Sequence, residues 1–212
     1  MRTLFLWTTT LAAWGLSAPA LAQDIDGSLQ VEFGRMDNDD PGFDVFSNRN
    51  RMPSWGVRGG ISIGDHLSVI GGWHRVRRGS EAELYWGSYT SETIAAAYFA
   101  DQFTLGPKVG LSVGEIFYPY ASVEGLLYRS TLRFDDDTTT KSNLGQITAA
   151  GMAPGIIAMG GSEFRSPTSI VGLMIVFNAE IGYSWVGSVD YGEVGDIKPG
   201  GLVFRMGAGI RF

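Results

Sequence analysis

This sequence predicts an all-β fold, an eight-stranded antiparallel up-and-down transmembrane β-barrel, on three observations. The first is its last segment. Counting back from Phe212 in steps of two gives Ile210, Ala208, Met206, Phe204 and Leu202, all apolar, while the other parity gives Arg211, Gly209, Gly207, Arg205 and Val203. A strand sends alternate side chains to opposite faces, and this one is as long as the ~9–11 residues that a tilted strand needs to cross a bilayer. The second is repetition: such segments recur along the chain, separated by alternating short and long connections. The third is composition. Charged residues make up 18% of the chain, against roughly 25% in soluble globular proteins. Its 30 glycines are about twice ordinary usage. A lipid-facing belt excludes charge, and a narrow barrel interior needs small residues.

The N-terminal segment stands apart. Arg2 supplies a positive start, Leu4 to Leu16 an apolar core, and Ala20-Leu21-Ala22 a small-residue cleavage site, the three parts of a secretory signal. Residues 1–22 are therefore expected to be a cleaved signal peptide, with the barrel domain over 23–212, 190 residues (212 − 22). The chain contains no cysteine, which excludes disulfides, a lipid-anchoring thiol and cysteine-based zinc sites. The net charge of −6, with no basic stripe to neutralise phosphates, argues against nucleic acid as a partner.

The strands follow in order. The first runs from about Gly27 to Arg35, with Leu29, Val31 and Phe33 opposite Ser28, Gln30 and Glu32. The second spans Trp55 to Ile63, and Gly64-Asp65-His66 turns it tightly into the third, Leu67 to about Arg77; this is the clearest hairpin. A polar loop over about 78–91 leads to the fourth, near 92–103, and a longer turn over 105–116 contains Gly106-Pro107. The fifth strand covers about Phe117 to Phe134, before a polar Asp/Thr loop. Residues 149–160 alternate poorly and carry Pro154, which a central strand resists, so either a sixth strand or an apolar loop folded over the barrel mouth is expected there. The seventh runs from about Ile170 to Val186, with Ile175, Phe177 and Ala179 opposite Asn178 and Glu180. A Gly/Asp-rich loop then leads to the last strand. Alternation alone leaves open which face points inward, since a soluble lipocalin-like barrel shares the period.

With Phe212 closing the last strand, a secretory signal at the other end and the phrase Glu180-Ile-Gly-Tyr183, the chain resembles the small bacterial outer-membrane β-barrels of the OmpA, OmpX and OmpW kind. The resemblance covers essentially all of the mature chain. It implies residence in the bacterial outer membrane, short turns toward the periplasm, four long outer loops, and a terminal Phe212 read by the barrel-assembly machinery.

Catalysis finds little footing. A nucleophile needs a nearby base and an orienting acid, and the only histidines are His66, in a turn, and His74, beside Trp73 and Arg75. The His and Ser two apart on a late strand that mark lipid A deacylases are absent. No enzyme activity and no cofactor is expected. The acidic loops, such as Asp37-Asn-Asp-Asp40 and Asp135-Asp-Asp137, lack the spacing of a calcium loop, so no metal site is assigned.

The lumen is more informative. Glu32, Arg58, Glu124, Glu180, Arg205 and Arg211 fall on the polar parity and are expected inside, with Glu32 in reach of Arg58 or Arg205 and Glu180 in reach of Arg205. An eight-stranded barrel is only just wide enough for its side chains to fill, and charges there must pair. The set reads as a plug or as a gate. Arg75, Arg77 and Arg78 cluster at the outer rim, where the phosphates of lipopolysaccharide lie and arginine binds phosphate through paired donors. The expectation is a monomeric, non-enzymatic structural or interaction-bearing barrel in contact with outer-membrane lipids and lipopolysaccharide. The alternatives are a narrow passive conduit for small or apolar solutes and, more distantly, a lipid A-modifying enzyme.

Overall fold

The computed structural model describes residues 25–41, 51–86, 90–135, 147–167, 172–192 and 195–212; the signal segment and the boundary at residue 23 lie outside them. Eight long strands are β1 (Ile25–Asn38), β2 (Arg51–Ile63), β3 (Leu67–Trp86), β4 (Thr90–Gly110), β5 (Phe117–Asp135), β6 (Ile147–Arg165), β7 (Met174–Val186) and β10 (Gly201–Arg211). Two short strands, β8 (Val189–Asp190) and β9 (Asp196–Ile197), form a small ribbon of their own. The long strands close in the order β1-β10-β7-β6-β5-β4-β3-β2, every pair antiparallel. Closure leaves no edge whose backbone groups would face lipid unpaired. Phe212 completes the seam: its carbonyl accepts from the Gly27 amide at 2.7 Å, and its own amide donates to the Gly27 carbonyl at 2.9 Å.

Register sets the tilt. Following partners once around, from Arg35 through Phe204, Ile181, Gly160, Ala121, Val109, Leu67 and Ile63, returns to β1 at Ile25, ten residues (35 to 25) from the start. Such a stagger tilts the strands and fixes the bore.

The faces are as the sequence orders them. Leu29, Val31 and Phe33 of β1, Val57 and Ile61 of β2, Phe103 and Leu105 of β4, and Ile175, Phe177 and Ile181 of β7 are all exposed. Phe177 is 58% exposed, whereas Glu180 on the other parity is 5% exposed. Apolar side chains outside and polar ones inside is the reverse of a soluble lipocalin-like barrel, and this decides the question that alternation leaves open.

Several boundaries differ from expectation. Residues 149–160 are a strand, part of β6. Pro154 is tolerated because its backbone faces β7 just past the end of their ladder, whose last pair is Gly155 with Val186, and its carbonyl accepts from the Gly187 amide at 2.9 Å. Gly106-Pro107 lies within β4 rather than in a turn; pairing to β5 skips these two residues and resumes in the same register at Lys108. Residues 78–86 and 90–91 continue the β3–β4 hairpin, paired as far as Trp86 with Thr90, rather than forming an irregular loop. Both extensions lengthen strands whose ends lack a strong apolar alternation.

Candidate functional site: the filled lumen and the outer rim

The inward parity builds three stacked layers. In the middle, Arg58 on β2 is the hub. Its Nη1 donates to Glu180 Oε2 at 2.7 Å and lies 3.2 Å from Glu32 Oε1, and its Nη2 donates to Glu124 Oε1 at 3.4 Å. Around it, Asn178 Nδ2 donates to Glu32 Oε1 at 2.9 Å, Tyr120 Oη to Glu180 Oε2 at 2.9 Å, and Ser122 Oγ to Glu124 Oε1 at 3.1 Å. Arg205 of β10 reaches Glu180 at 3.6 Å and donates to Gln102 Oε1 at 3.4 Å. All of these side chains are buried. A charge in this setting is tolerable only in such contact.

Of the predicted charge set, Glu32, Arg58, Glu124, Glu180 and Arg205 converge. Arg211 does not. It sits at the turn end and pairs with Asp26 at 2.7 Å, because the tilt carries the end of β10 away from the hub. His74 joins instead, with Nε2 2.6 Å from Glu32 Oε2. Even-numbered positions on β3 point inward, a signal the sequence carries. The ring needs room, and Gly56 supplies it: a Cβ there would stand 2.5 Å from His74 Cδ2. Gly207 likewise lies against Glu32 and Asn178. The lumen accounts for part of the glycine enrichment in this way, through close approach of backbone and side chain.

Toward the turn end lies a second ionic group that sequence reasoning missed. Glu163 pairs with Lys108 and, at 3.2 Å, with Arg165. The Arg165 guanidinium stacks 3.9 Å from the Tyr118 ring centre. Lys108 and Glu163 lie in strand ends beyond the expected limits of β4 and β6, so their parity was not visible. Counting both groups, Glu32, Glu124, Glu163 and Glu180 stand against Arg58, Lys108, Arg165 and Arg205, four of each sign.

The outer third is different in kind. Met36, Met52, Val76, Tyr98, Leu126, Tyr128, Leu132, Ile157, Met159 and Val203 pack into one apolar cluster. The β8–β9 ribbon folds over it, inserting Val189, Tyr191 and Ile197. The Tyr98 and Tyr128 hydroxyls meet at 2.8 Å, and the Tyr191 hydroxyl meets Ser130 Oγ. A cavity of about 380 Å³ exists, but it is bounded by Asp39, Tyr183, Trp185 and Lys198 at the outer end of β7. Among the described residues no cluster of His, Asp and Glu fit to hold a metal ion is found.

At the rim the predicted arginine trio divides. Arg75 and Arg77 are exposed on the outward parity, whereas Arg78 falls on the inward one, since adjacent strand residues face opposite ways. Arg75 grips Asp101 of β4 with Nε to Oδ1 at 2.9 Å and Nη2 to Oδ2 at 3.0 Å, and Trp73 Nε1 donates to the same carboxylate at 3.0 Å.

No protein-family model matches the chain, and no curated protein matches it by sequence. Solved structures do. Ail of Yersinia pestis, in complex with the heparin analogue sucrose octasulfate, superposes with a TM-score of 0.53 at 16% identity, covering 89% of this chain and 99% of that one. A second crystal structure of Ail gives 0.54 at 15% identity, covering 88% and 98%. The outer membrane protein OprG of Pseudomonas aeruginosa gives 0.51 at 15% identity, covering 90% and 97%. At these identities the likeness is one of fold, and the exposed apolar belt agrees with it: the chain is an integral eight-stranded β-barrel of the outer-membrane type.

Proposed function

We propose that the protein is a closed, non-enzymatic barrel of the bacterial outer membrane that works through its outer loops and rim rather than through its lumen. The reading includes removal of residues 1–22 on export, recognition of Phe212 by the barrel-assembly machinery, and a monomeric state. The observation that carries it is the filled axis. Two ionic layers and an apolar layer succeed one another along the bore, and the β8–β9 ribbon covers the last. Passage of a solute would require the Arg58 hub to part and the ribbon to lift. His74, the one buried histidine, is spent on Glu32 inside this plug, which disfavours a lipid A-modifying enzyme.

Purified mature protein in planar bilayers tests the reading against the conduit alternative. Silence across repeated insertions is expected. Discrete conductance steps from the wild type would replace the plug with a narrow passive conduit. In cell fractions, the protein should pellet with the outer membrane and migrate compactly on gels until boiled.

A further inference from the structure

We propose that the cavity at the outer end of β7 is a binding site for a soluble neutral saccharide, held between the aromatic pair Tyr183 and Trp185 and the carboxylates of Asp39 and Asp40. The inference rests on the outer-membrane reading above and gives the rim of that barrel a ligand.

Three neighbouring strands build the site. β1 ends at Asn38, β7 ends at Val186 and β10 begins at Gly201, and the three are consecutive in the barrel. Asp39 and Asp40 leave the end of β1, while Lys198 and Gly200 approach the start of β10. The cavity of about 380 Å³ opens where these segments meet Tyr183 and Trp185. Its size lies at the lower end of the ~300–1,000 Å³ of small-ligand sites and suits a mono- or disaccharide. Tyr183 and Trp185 stand two apart on one face of β7, with ring centres 4.8 Å apart and planes inclined at 46°. The inclination makes a concave wall. An aromatic face is the negative side of its ring, and the polarised C–H face of a pyranose packs against it.

The polar side is oriented in advance. The Tyr183 hydroxyl donates to Asp39 Oδ2, and the Asp39 amide donates to the Gly200 carbonyl at 3.0 Å. The Lys198 amide donates to Asp40 Oδ2 at 2.6 Å, and the Asp40 amide donates to Asn38 Oδ1 at 3.1 Å. Interfacial belts also place Tyr and Trp at this height, but a belt does not call for a hydroxyl turned onto a carboxylate that lines the same cavity. An ionised carboxylate only accepts, at about four positions, so a ligand meeting Asp39 must bring donors. A sugar ring brings hydroxyl donors and an apolar face together. A sulfate or phosphate offers oxygens that only accept, which sets the site apart from the phosphorylated sugars at the membrane surface. An aliphatic amine would meet Lys198 in the same wall, whereas a sugar oxygen can accept from it.

The test uses the full mature barrel in phosphatidylcholine nanodiscs without lipopolysaccharide, titrated with maltotriose, cellotriose and triacetylchitotriose. Calorimetry gives the affinity, and saturation-transfer NMR shows which sugar protons lie against the protein. At least one of the three should bind, with saturation strongest on its ring C–H protons. Trp185→Ala and Asp39→Ala should each weaken that binding about tenfold, while Trp185→Phe keeps most of it. Phe103→Ala, on the strand farthest from β10 in the barrel, should bind as the wild type does. A sulfated form of the bound sugar should bind about tenfold more weakly than the neutral one. No binding of any of the three to a compact, heat-modifiable barrel would overturn the proposal. So would equal affinity of wild type and Trp185→Ala, or equal affinity for the sulfated form. Loss of sugar binding in nanodiscs that contain lipopolysaccharide would overturn it too, by assigning the cavity to the glycolipid. A wild type that never reaches the compact, heat-modifiable form would instead sink the membrane reading itself.

Discussion

The middle and the outer third of the lumen are built from the same inward parity of the same strands, yet they are held by opposite means. Around Arg58, three carboxylates, two guanidinium groups, His74, Asn178 and Tyr120 meet over contacts of 2.6 to 3.6 Å. Above them, methionines, leucines, isoleucine and tyrosines pack together, with Arg78 inward beside Tyr98, and are closed by Val189, Tyr191 and Ile197. The contrast separates two tasks. Paired charges specify register, because a one-residue slip would send every partner to the lipid face. Apolar packing adapts to small shifts but excludes water. A barrel with both has one alignment and a packed outer end.

The largest expected effect breaks the ionic side. Arg58→Ala leaves Glu32, Glu124 and Glu180 gathered without their common cation, and loss of one partner from a buried ionic contact typically costs about 3–5 kcal/mol. Urea unfolding from vesicles should show that loss; a loss under 1 kcal/mol would mean that water already solvates the hub. Next comes the apolar side. Ile157→Ala removes a fully buried side chain from beneath the ribbon and should cost about 2–5 kcal/mol. Unlike Arg58→Ala, that loss should barely change with salt, and a salt-dependent loss would blur the distinction between layers.

Coupling is smaller than either. Glu180 lies closer to Arg58 than to Arg205, at 2.7 against 3.6 Å. A cycle of Glu180→Ala and Arg58→Ala should therefore show more of the 0.5–3 kcal/mol expected for contacting pairs than a cycle of Glu180→Ala and Arg205→Ala. Equal coupling, or strict additivity in both, would redraw the network. If the layer is also a gate, Glu180→Ala should open current in bilayers; as a plug alone it should cost stability and leave the membrane silent. The smallest effect concerns the ribbon. Tyr191→Phe removes its hydroxyl contact with Ser130, worth about 1 kcal/mol, and should raise exchange of ribbon amides without changing that of the hub. Loss of protection at both would show that cap and hub open together.

Parity made much of the site legible before any coordinates. Glu32, Arg58, Glu124, Glu180 and Arg205 fall on inward positions by counting alone, and Phe177 and Ile175 on outward ones. The same counting separates Arg77 from Arg78, although treating the three rim arginines as one group obscured it. His74 was legible as an inward position, but its partner was not, since Glu32 lies 42 residues away on a strand that β2 separates from β3. Lys108 and Glu163 were hidden for another reason: Gly106-Pro107 and Pro154 read as breaks, and only the neighbouring strands show that each proline sits where the ladder asks for no amide hydrogen.

By itself the sequence determined the strand period and the sorting of residues into two faces, because these are local consequences of backbone geometry, while the strand at residues 149–160 was settled by its pairing with β5 and β7. Which face lies inside, which of three carboxylates each guanidinium meets, and that a Gly/Asp-rich loop returns to cap its own barrel were decided only by tertiary structure. The stagger of ten residues around the barrel sets those meetings, and stagger belongs to the closed sheet rather than to any strand within it.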